Sequence, residues 1–216
     1  KLSAVLKRSP LTFLVGPGQS GKTTLARMLM EKQQAVFFDL QSSSDRQRLQ
    51  NPEMMLGSIE GTVILDEIQV MPGLCQALRN LADRPGNRAR FLLLGDASPS
   101  LTPSISQPLD GRVEIVELPG YDLLETGVGS WERLWLRGGF PRAYLAETDA
   151  AAGRWLEGFR QTFLERDIPG LGVRVPAATL ERFWSMLAHY HGQTWNAAEL
   201  GRAMSASPGA VNNYRD

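Results

Sequence analysis

The residues best equipped for chemistry lie near the N-terminus. Gly16, Pro17, Gly18, Gln19, Ser20, Gly21, Lys22 and Thr23 spell GxxxxGKT, with Thr24 directly after. Glycines in such a run let the backbone curl until successive N–H groups point into one space, the geometry that binds phosphate oxygens. A helix starting at the end of the run adds the positive end of its dipole. Lys22 can reach the terminal phosphates, and Thr23 can offer its hydroxyl oxygen to Mg²⁺. Residues 16 to 24 are therefore expected to hold ATP, with GTP the lesser alternative.

A second constellation is VILDE, residues 63–67. An acidic residue at the carboxyl end of an otherwise apolar strand is costly to bury unless it has a task. Asp66 is placed to support the Mg²⁺ water shell beside Thr23, and Glu67 to polarise a water for attack on the γ-phosphate. The alternative for Glu67 is an acid at a helix N-terminus. Together the two motifs favour hydrolysis over binding alone, and the adjacent acidic pair favours ATPases over small GTPases. Hydrolysis needs positive charge on the transferring phosphoryl group. Arg112, in LDGRV, is one source, unless it pairs with Asp110 or Glu114; Arg142, in GGFPRA, is a candidate for sensing the γ-phosphate within the same chain.

The elements that must position these groups can be read from hydrophobic spacing. Leu11–Val15 reads as a strand, the glycine-rich run as a loop, and Gly21–Lys32 as a helix with Leu25, Met28 and Leu29 on one side. Further strands are expected over Ala35–Leu40, Thr62–Asp66, Arg90–Leu94 and Val113–Leu118, with one or two short helices in Asp45–Leu56 and a helix over Pro72–Leu81 opened by its proline. Strands alternating with helices predict an α/β fold with a mostly parallel sheet covered on both faces. After Pro119 strands disappear. Trp131, Leu134, Trp135, Tyr144, Leu145, Trp155, Phe159, Phe163 and Leu164 recur at spacings of three and four and are expected to form a small helical core. The division falls near residue 120, with a softer one in PGLGVRVP, residues 169–176.

Composition narrows the alternatives. The chain has 216 residues, and 23 Lys and Arg balance 23 Asp and Glu, so net charge gives no argument for nucleic-acid or membrane steering. Cys75 is the only cysteine, which excludes an internal disulfide and a multi-cysteine zinc site, and its apolar neighbours predict a buried thiol. His189 and His191, separated by one Tyr, lack a third ligand nearby for a catalytic zinc. No run is long enough to span a membrane, and a reducing, cytoplasmic setting fits. The sequence has no initiator Met and stops at NNYRD, so a piece of a longer protein is expected.

Taken in order, GPGQSGKTTLAR (16–27), FFDL (37–40), VILDEIQ with Pro72, FLLLG (91–95), LDGRVEIVEL (109–118), WLRGGFPRAYL (135–145) and FLERDIPGL (163–171) resemble the AAA_14 family of AAA-like P-loop ATPases. The resemblance covers most of the chain. It implies a five-stranded parallel sheet in the order 5-1-4-3-2 over residues 1–120, a helical lid over 121–172 and a partial helix-turn-helix over 173–216, with a C-terminal domain called DUF4143 absent. In an AAA-like order the turn before the fifth strand faces a neighbouring subunit, so in a homo-oligomer Arg112 would act across the interface as an arginine finger. One departure stands out: where the family usually has serine after glycine at the end of the fourth strand, this chain has Asp96. Asp96 could accept a hydrogen bond from the attacking water, or Ser98 could substitute, and slow hydrolysis is expected.

The helix-turn-helix is expected as Leu180–Tyr190, Asn196–Met204 capped by Asn196, and a third helix from Ser207. Its apolar face would use Ala197, Leu200 and Ala203 or Met204. The third helix offers Asn212, Asn213 and Arg215 but also Asp216, a thin set for phosphate contacts. The leading expectation is an ATPase whose nucleotide state switches its action on DNA or a partner protein. A non-hydrolysing ATP-dependent interaction module is the alternative, and a small-molecule kinase is disfavoured by the adjacent acidic pair and the helix-turn-helix.

Overall fold

The computed structural model describes residues 2–96, 105, 109, 111–170 and 173–215; Ser98 and Asp110 fall outside them. The chain divides into two compact units, Lys1–Gly153 and Arg154–Asp216.

The first unit is built on five parallel strands: β1 (Leu11–Gly16), β2 (Ala35–Asp39), β3 (Gly61–Asp66), β4 (Ala89–Asp96) and β5 (Val113–Glu117). Their order is β2-β3-β4-β1-β5, the expected 5-1-4-3-2 read from the opposite edge. The central strands are apolar on both faces because helices cover both, as the continuous runs in the sequence require. Leu11, Phe13 and Val15 of β1 pack on one face with Phe38, Val63, Leu65, Phe91 and Leu93, beneath α5 (Leu74–Asp83). Leu14 points to the other face with Ile64, Leu92, Leu94 and Val116, where α1 (Leu2–Arg8) and α2 (Lys22–Met30) supply Leu2, Val5, Leu6, Ala26 and Leu29. Cys75 is fully buried on α5, and loss of solvent pushes its thiol up to about 11, the inert thiol the sequence predicts.

Element boundaries shift slightly from expectation. Helix α5 begins two residues after Pro72, which forms the preceding turn through Cys75 N–H donating to the Pro72 carbonyl at 3.1 Å. Between β2 and β3 lie α3 (Ser43–Arg48) and α4 (Pro52–Leu56), the latter capped by Asn51, whose side chain accepts from Met54 N–H.

The segment from 121 to 153 belongs to the same unit as the sheet, so the lid expected over 121–172 is shared between the two units. The expected aromatic core is only partly formed. Tyr144 and Leu164 are buried, but Trp131, Trp135 and Leu145 are exposed. The helix Trp131–Arg137 instead buries Arg137, whose Nε donates to Asp149 at 2.7 Å and whose Nη1 donates to the carbonyls of Tyr144 and Ala146. A charge paired and hydrogen-bonded in this way can occupy a buried position that would otherwise go to an apolar side chain.

In the second unit Trp155, Phe159, Phe163 and Trp184 stack in succession at centroid spacings of 5.3 to 6.0 Å. FLERD, Phe163–Asp167, winds as a π-helix, a single widened turn. Three helices follow, Ala177–His189, Ala197–Met204 and Pro208–Arg215, around Phe183, Leu200, Met204 and Val211. Asn196 caps the second by accepting from Glu199 N–H at 3.2 Å. Met204, not Ala203, completes the apolar face.

Candidate nucleotide site

The glycine-rich loop joins β1 to α2 at the carboxyl end of the sheet, where parallel strands deliver their functional residues. Its two defining glycines serve different ends. A Cβ on Gly16 would lie 2.9 Å from Ser20 Oγ and 3.1 Å from the Leu118 carbonyl carbon, and closer still to that carbonyl's oxygen, so only glycine lets the loop pass the chain leaving β5. Gly21 has φ of 99°, and Gln19, also left-handed at 65°, precedes it by two residues. Alternation of this kind turns backbone N–H groups toward one concave face, a nest for anionic oxygens. A Cβ on Gly18 would meet nothing within 4 Å, so the space there is open. The buried Ser20 hydroxyl has no hydrogen-bond partner among the described residues, which leaves a donor at the loop for a phosphate oxygen.

Lys22 is almost wholly buried at the start of α2. Its ammonium donates to the Gly16 carbonyl at 2.9 Å, the Pro17 carbonyl at 3.0 Å and Asp96 Oδ1 at 3.0 Å. Thr23 donates its hydroxyl to Asp66 Oδ2 at 2.8 Å, while Asp66 Oδ1 accepts from Glu67 N–H at 3.0 Å. Burial is the chief cause that raises the Asp66 carboxyl above the usual carboxylate range; the bonds from Thr23 and Glu67 N–H oppose it. Glu67 is also raised, first by burial and then by the negative charges of Asp96 and Asp66. Its backbone is left-handed, φ 59° and ψ 47°, which lets the chain turn abruptly out of β3, and its carboxylate accepts from the Gln69 side-chain amide. Of the alternative for Glu67, an acid at a helix N-terminus, only the position is found: Glu67 precedes a single 3-10 turn, Ile68–Val70, and makes no capping bond with its side chain.

These groups fit Mg²⁺. A threonine hydroxyl and a buried carboxylate at 2.8 Å make a small oxygen site of the kind Mg²⁺ uses together with water and phosphate oxygens. Among the described residues no group of three or more His, Cys, Asp or Glu could hold a metal by itself.

Arg142 and Arg112 sit differently. Arg142 lies in the helix Pro141–Tyr144, exposed and with no hydrogen bond among the described residues. The preceding Pro141 places its Cγ 3.5 Å from where a Cβ on Gly21 would be, so this segment lies against the loop. A second close approach fixes it there. Gly120, at φ 123°, and Gly139 pass so closely that a Cβ on Gly120 would lie 2.6 Å from the Gly139 carbonyl oxygen, and Tyr121 N–H donates to that carbonyl at 2.7 Å. The GG pair stands out in the sequence, but its role does not; two glycines before a proline, opposite a Pro-Gly at the end of a strand, are the signal that could have indicated a backbone crossing.

Arg112 stands just before β5, at the amino end of the sheet and away from this chain's own loop. Its Nε donates to both Asp83 oxygens, at 2.6 and 2.8 Å. Asp83 is 29 residues away in sequence, so this pair is not a local one; of the two partners expected from the sequence, Asp110 lies outside the described residues and Glu114 is held by Arg8. Arg112 depresses the Asp83 carboxyl through this hydrogen bond.

Comparison with known proteins agrees with this geometry. The AAA domain family AAA_14 matches residues 8–126, and a domain of unknown function, DUF8612, matches residues 128–216. The uncharacterized protein Rv2008c of Mycobacterium tuberculosis (strain H37Rv) is 44% identical over 216 residues, covering 100% of this chain and 49% of that protein. Uncharacterized protein Mb2031c of Mycobacterium bovis matches to the same extent, so the chain spans about half the length of these relatives. Among solved structures, the Walker-type ATPase PABY2304 of Pyrococcus abyssi superposes with a TM-score of 0.56 at 15% identity over 100% of this chain and 93% of that one, a likeness of fold. The chain thus has the fold of a P-loop NTPase and belongs to the AAA_14 family of AAA domains.

Proposed function

We propose that this chain binds ATP with Mg²⁺ and hydrolyses it, the change of nucleotide state acting as a switch on DNA or a partner protein in the cytoplasm. The observation that carries this reading is the pairing of Thr23 and Asp66 at 2.8 Å with Glu67 held beside them. Thr23 and Asp66 would hold Mg²⁺, which when bound neutralises charge on the terminal phosphates. Lys22 exchanges its loop carbonyls for phosphate oxygens. Glu67 accepts a proton from a water whose oxygen attacks the γ-phosphorus; the bond from that phosphorus to the bridging oxygen breaks, leaving ADP and inorganic phosphate. Arg142, on the segment that lies against the loop, would meet charge developing on the γ-phosphate, and Arg112 in a homo-oligomer would meet that of a neighbour.

Turnover of ATP by the intact protein, Glu67→Gln and Lys22→Ala tests this. Release of phosphate that falls at least about a hundredfold in Glu67→Gln while binding persists supports it; binding without turnover sensitive to Glu67 supports a non-hydrolysing interaction module. That second reading draws on the Lys22–Asp96 pair, which sets a carboxylate against the lysine that must receive phosphate.

The three C-terminal helices are read as a helix-turn-helix that serves protein docking better than DNA. Asn212 accepts from Trp195 Nε1 at 3.1 Å, and the Arg215 guanidinium lies over the Trp195 ring at 5.2 Å, so two of the polar groups on the third helix are engaged at home. A duplex-binding titration across salt concentration tests the DNA arm: an affinity falling steeply with salt would restore it.

A further inference from the structure

The register between β1 and β4 places Asp96 opposite Gly16, directly beside the first residue of the loop. From there its carboxylate meets Lys22 Nζ at 3.0 Å while the two loop carbonyls take the other directions. An ammonium has three N–H donors, so Lys22 has its full complement of acceptors. Lys22 is 6% exposed and Asp96 48%, so the carboxylate lines the open side of the lysine, the side from which a terminal phosphate must approach. A carboxylate in that position resembles a phosphate oxygen in charge and in its bond to the ammonium. Asp96 also bears on Glu67, whose carboxyl it helps to raise.

We propose that Asp96 is a specificity-determining residue that lowers the affinity of the site for nucleoside triphosphates relative to diphosphates. This rests on the reading of Lys22 as the terminal-phosphate ligand. Both nucleotides must displace Asp96 from Lys22, a cost common to the two. Only the triphosphate then adds a γ-phosphoryl charge on the side of the lysine where the displaced carboxylate remains. Two like charges about 5 Å apart, at a dielectric between bulk water and a protein surface, repel by enough to change relative affinity several-fold to a hundredfold. Asp96 is half-exposed, so the lower part of that range applies, about tenfold in relative affinity. A neutral side chain at the same place removes the repulsion, and the gain falls mainly on the triphosphate.

The test is calorimetric titration of the intact chain, Asp96→Asn and Asp96→Ser with MgADP and with the magnesium complex of a slowly hydrolysed ATP analogue, which separates binding from turnover. Retained MgADP binding confirms that each variant is folded. The expected result is that both variants raise analogue affinity about tenfold more than ADP affinity. An unchanged ratio, whether both affinities rise together or neither moves, overturns the proposal and leaves Asp96 as a tether for Lys22. Absence of binding of both nucleotides, by the parent chain and by both variants, would refute the nucleotide site itself, and this inference with it. Loss of turnover in Glu67→Gln has no bearing on the ratio, so the two readings can fail separately.

Discussion

Two glycines of one loop, only two residues apart, should respond in opposite ways to the same substitution. In Gly16→Ala the new Cβ would stand 3.1 Å from the Leu118 carbonyl carbon, nearer to its oxygen, and 2.9 Å from Ser20 Oγ. The first neighbour is backbone, and Leu118 N–H is itself held by the Val15 carbonyl at 2.8 Å, so the obstruction cannot swing aside. Relief requires the loop to separate from the chain leaving β5. Overpacking of this kind costs about 1–3 kcal/mol, which for a chain of this size lowers Tm by roughly 2–12 °C. Displacement of Ser20 and the loop amides would also weaken nucleotide binding. In Gly18→Ala the Cβ meets nothing within 4 Å, and no left-handed φ is demanded there, so Tm should move by about 1 °C or less. Differential scanning fluorimetry with and without MgADP reads both effects. Equal tolerance of the two variants, or a Gly18→Ala protein as damaged as Gly16→Ala, would refute the assignment of Gly16 to the backbone crossing.

Gly139→Ala should lower Tm, since its Cβ would lie 2.5 Å from the Tyr121 carbonyl oxygen, and should reduce turnover by moving Pro141 and Arg142 away from the loop; fluorimetry and a phosphate-release assay check the two. Glu67→Gln should raise Tm at neutral pH. The folded-state carboxyl of Glu67 is raised, so folding favours its protonated form; that stability is present below the unfolded carboxylate pKa and lost as pH rises through the higher folded value, and the amide variant does not lose it. The gain should shrink as pH falls through the carboxylate range, which melting curves across pH will show. Cys75 should resist alkylation in the folded chain, because a thiol pushed up to about 11 is about one-thousandth thiolate at pH 8, and labelling should track unfolding by denaturant. Arg112→Ala should leave Tm nearly unchanged, as the lost pair with Asp83 is solvent-screened, while a rate per subunit that rises with protein concentration in the parent and not in the variant would mark a finger acting across an interface.

Much of the carboxyl end of the sheet was legible because its signals are local. A glycine-rich run between an apolar strand and a helix, and an acidic pair ending a buried strand, state their geometry within eight and five residues, and Thr23 does meet Asp66. The strand order followed from resemblance and was found as expected. What the sequence withheld depends on long-range juxtaposition. Nothing near Arg112 in sequence announces Asp83, because that pair forms only when α5 and the turn before β5 come together at the amino end of the sheet. Nothing in helical spacing says that Arg137 would take the buried place that Trp131 and Trp135 leave, since periodicity identifies a helix's faces and not which face the fold has carbonyls and a carboxylate ready to meet. The Lys22–Asp96 bond likewise needs the β1–β4 register to bring residues 74 apart into contact.

The same register explains why the site is organised by backbone as much as by side chains. Leu118 N–H bonds to Val15 at the end of β1, and its carbonyl crosses Gly16; two residues on, Gly120 and Tyr121 cross Gly139; two residues beyond that, Pro141 returns to Gly21. The chain thus makes a closed circuit from the first glycine of the loop to the last. At the first two crossings a Cβ would intrude on backbone, and at the third it would touch the proline ring. Arg142 hangs from this circuit without a hydrogen bond of its own among the described residues, so its position depends on whether the crossings stay closed. The segment that carries Arg142 is thus tied to the loop at two backbone crossings and one contact of the proline ring, so a substitution that opens Gly120–Gly139 should also shift Arg142 relative to Gly21.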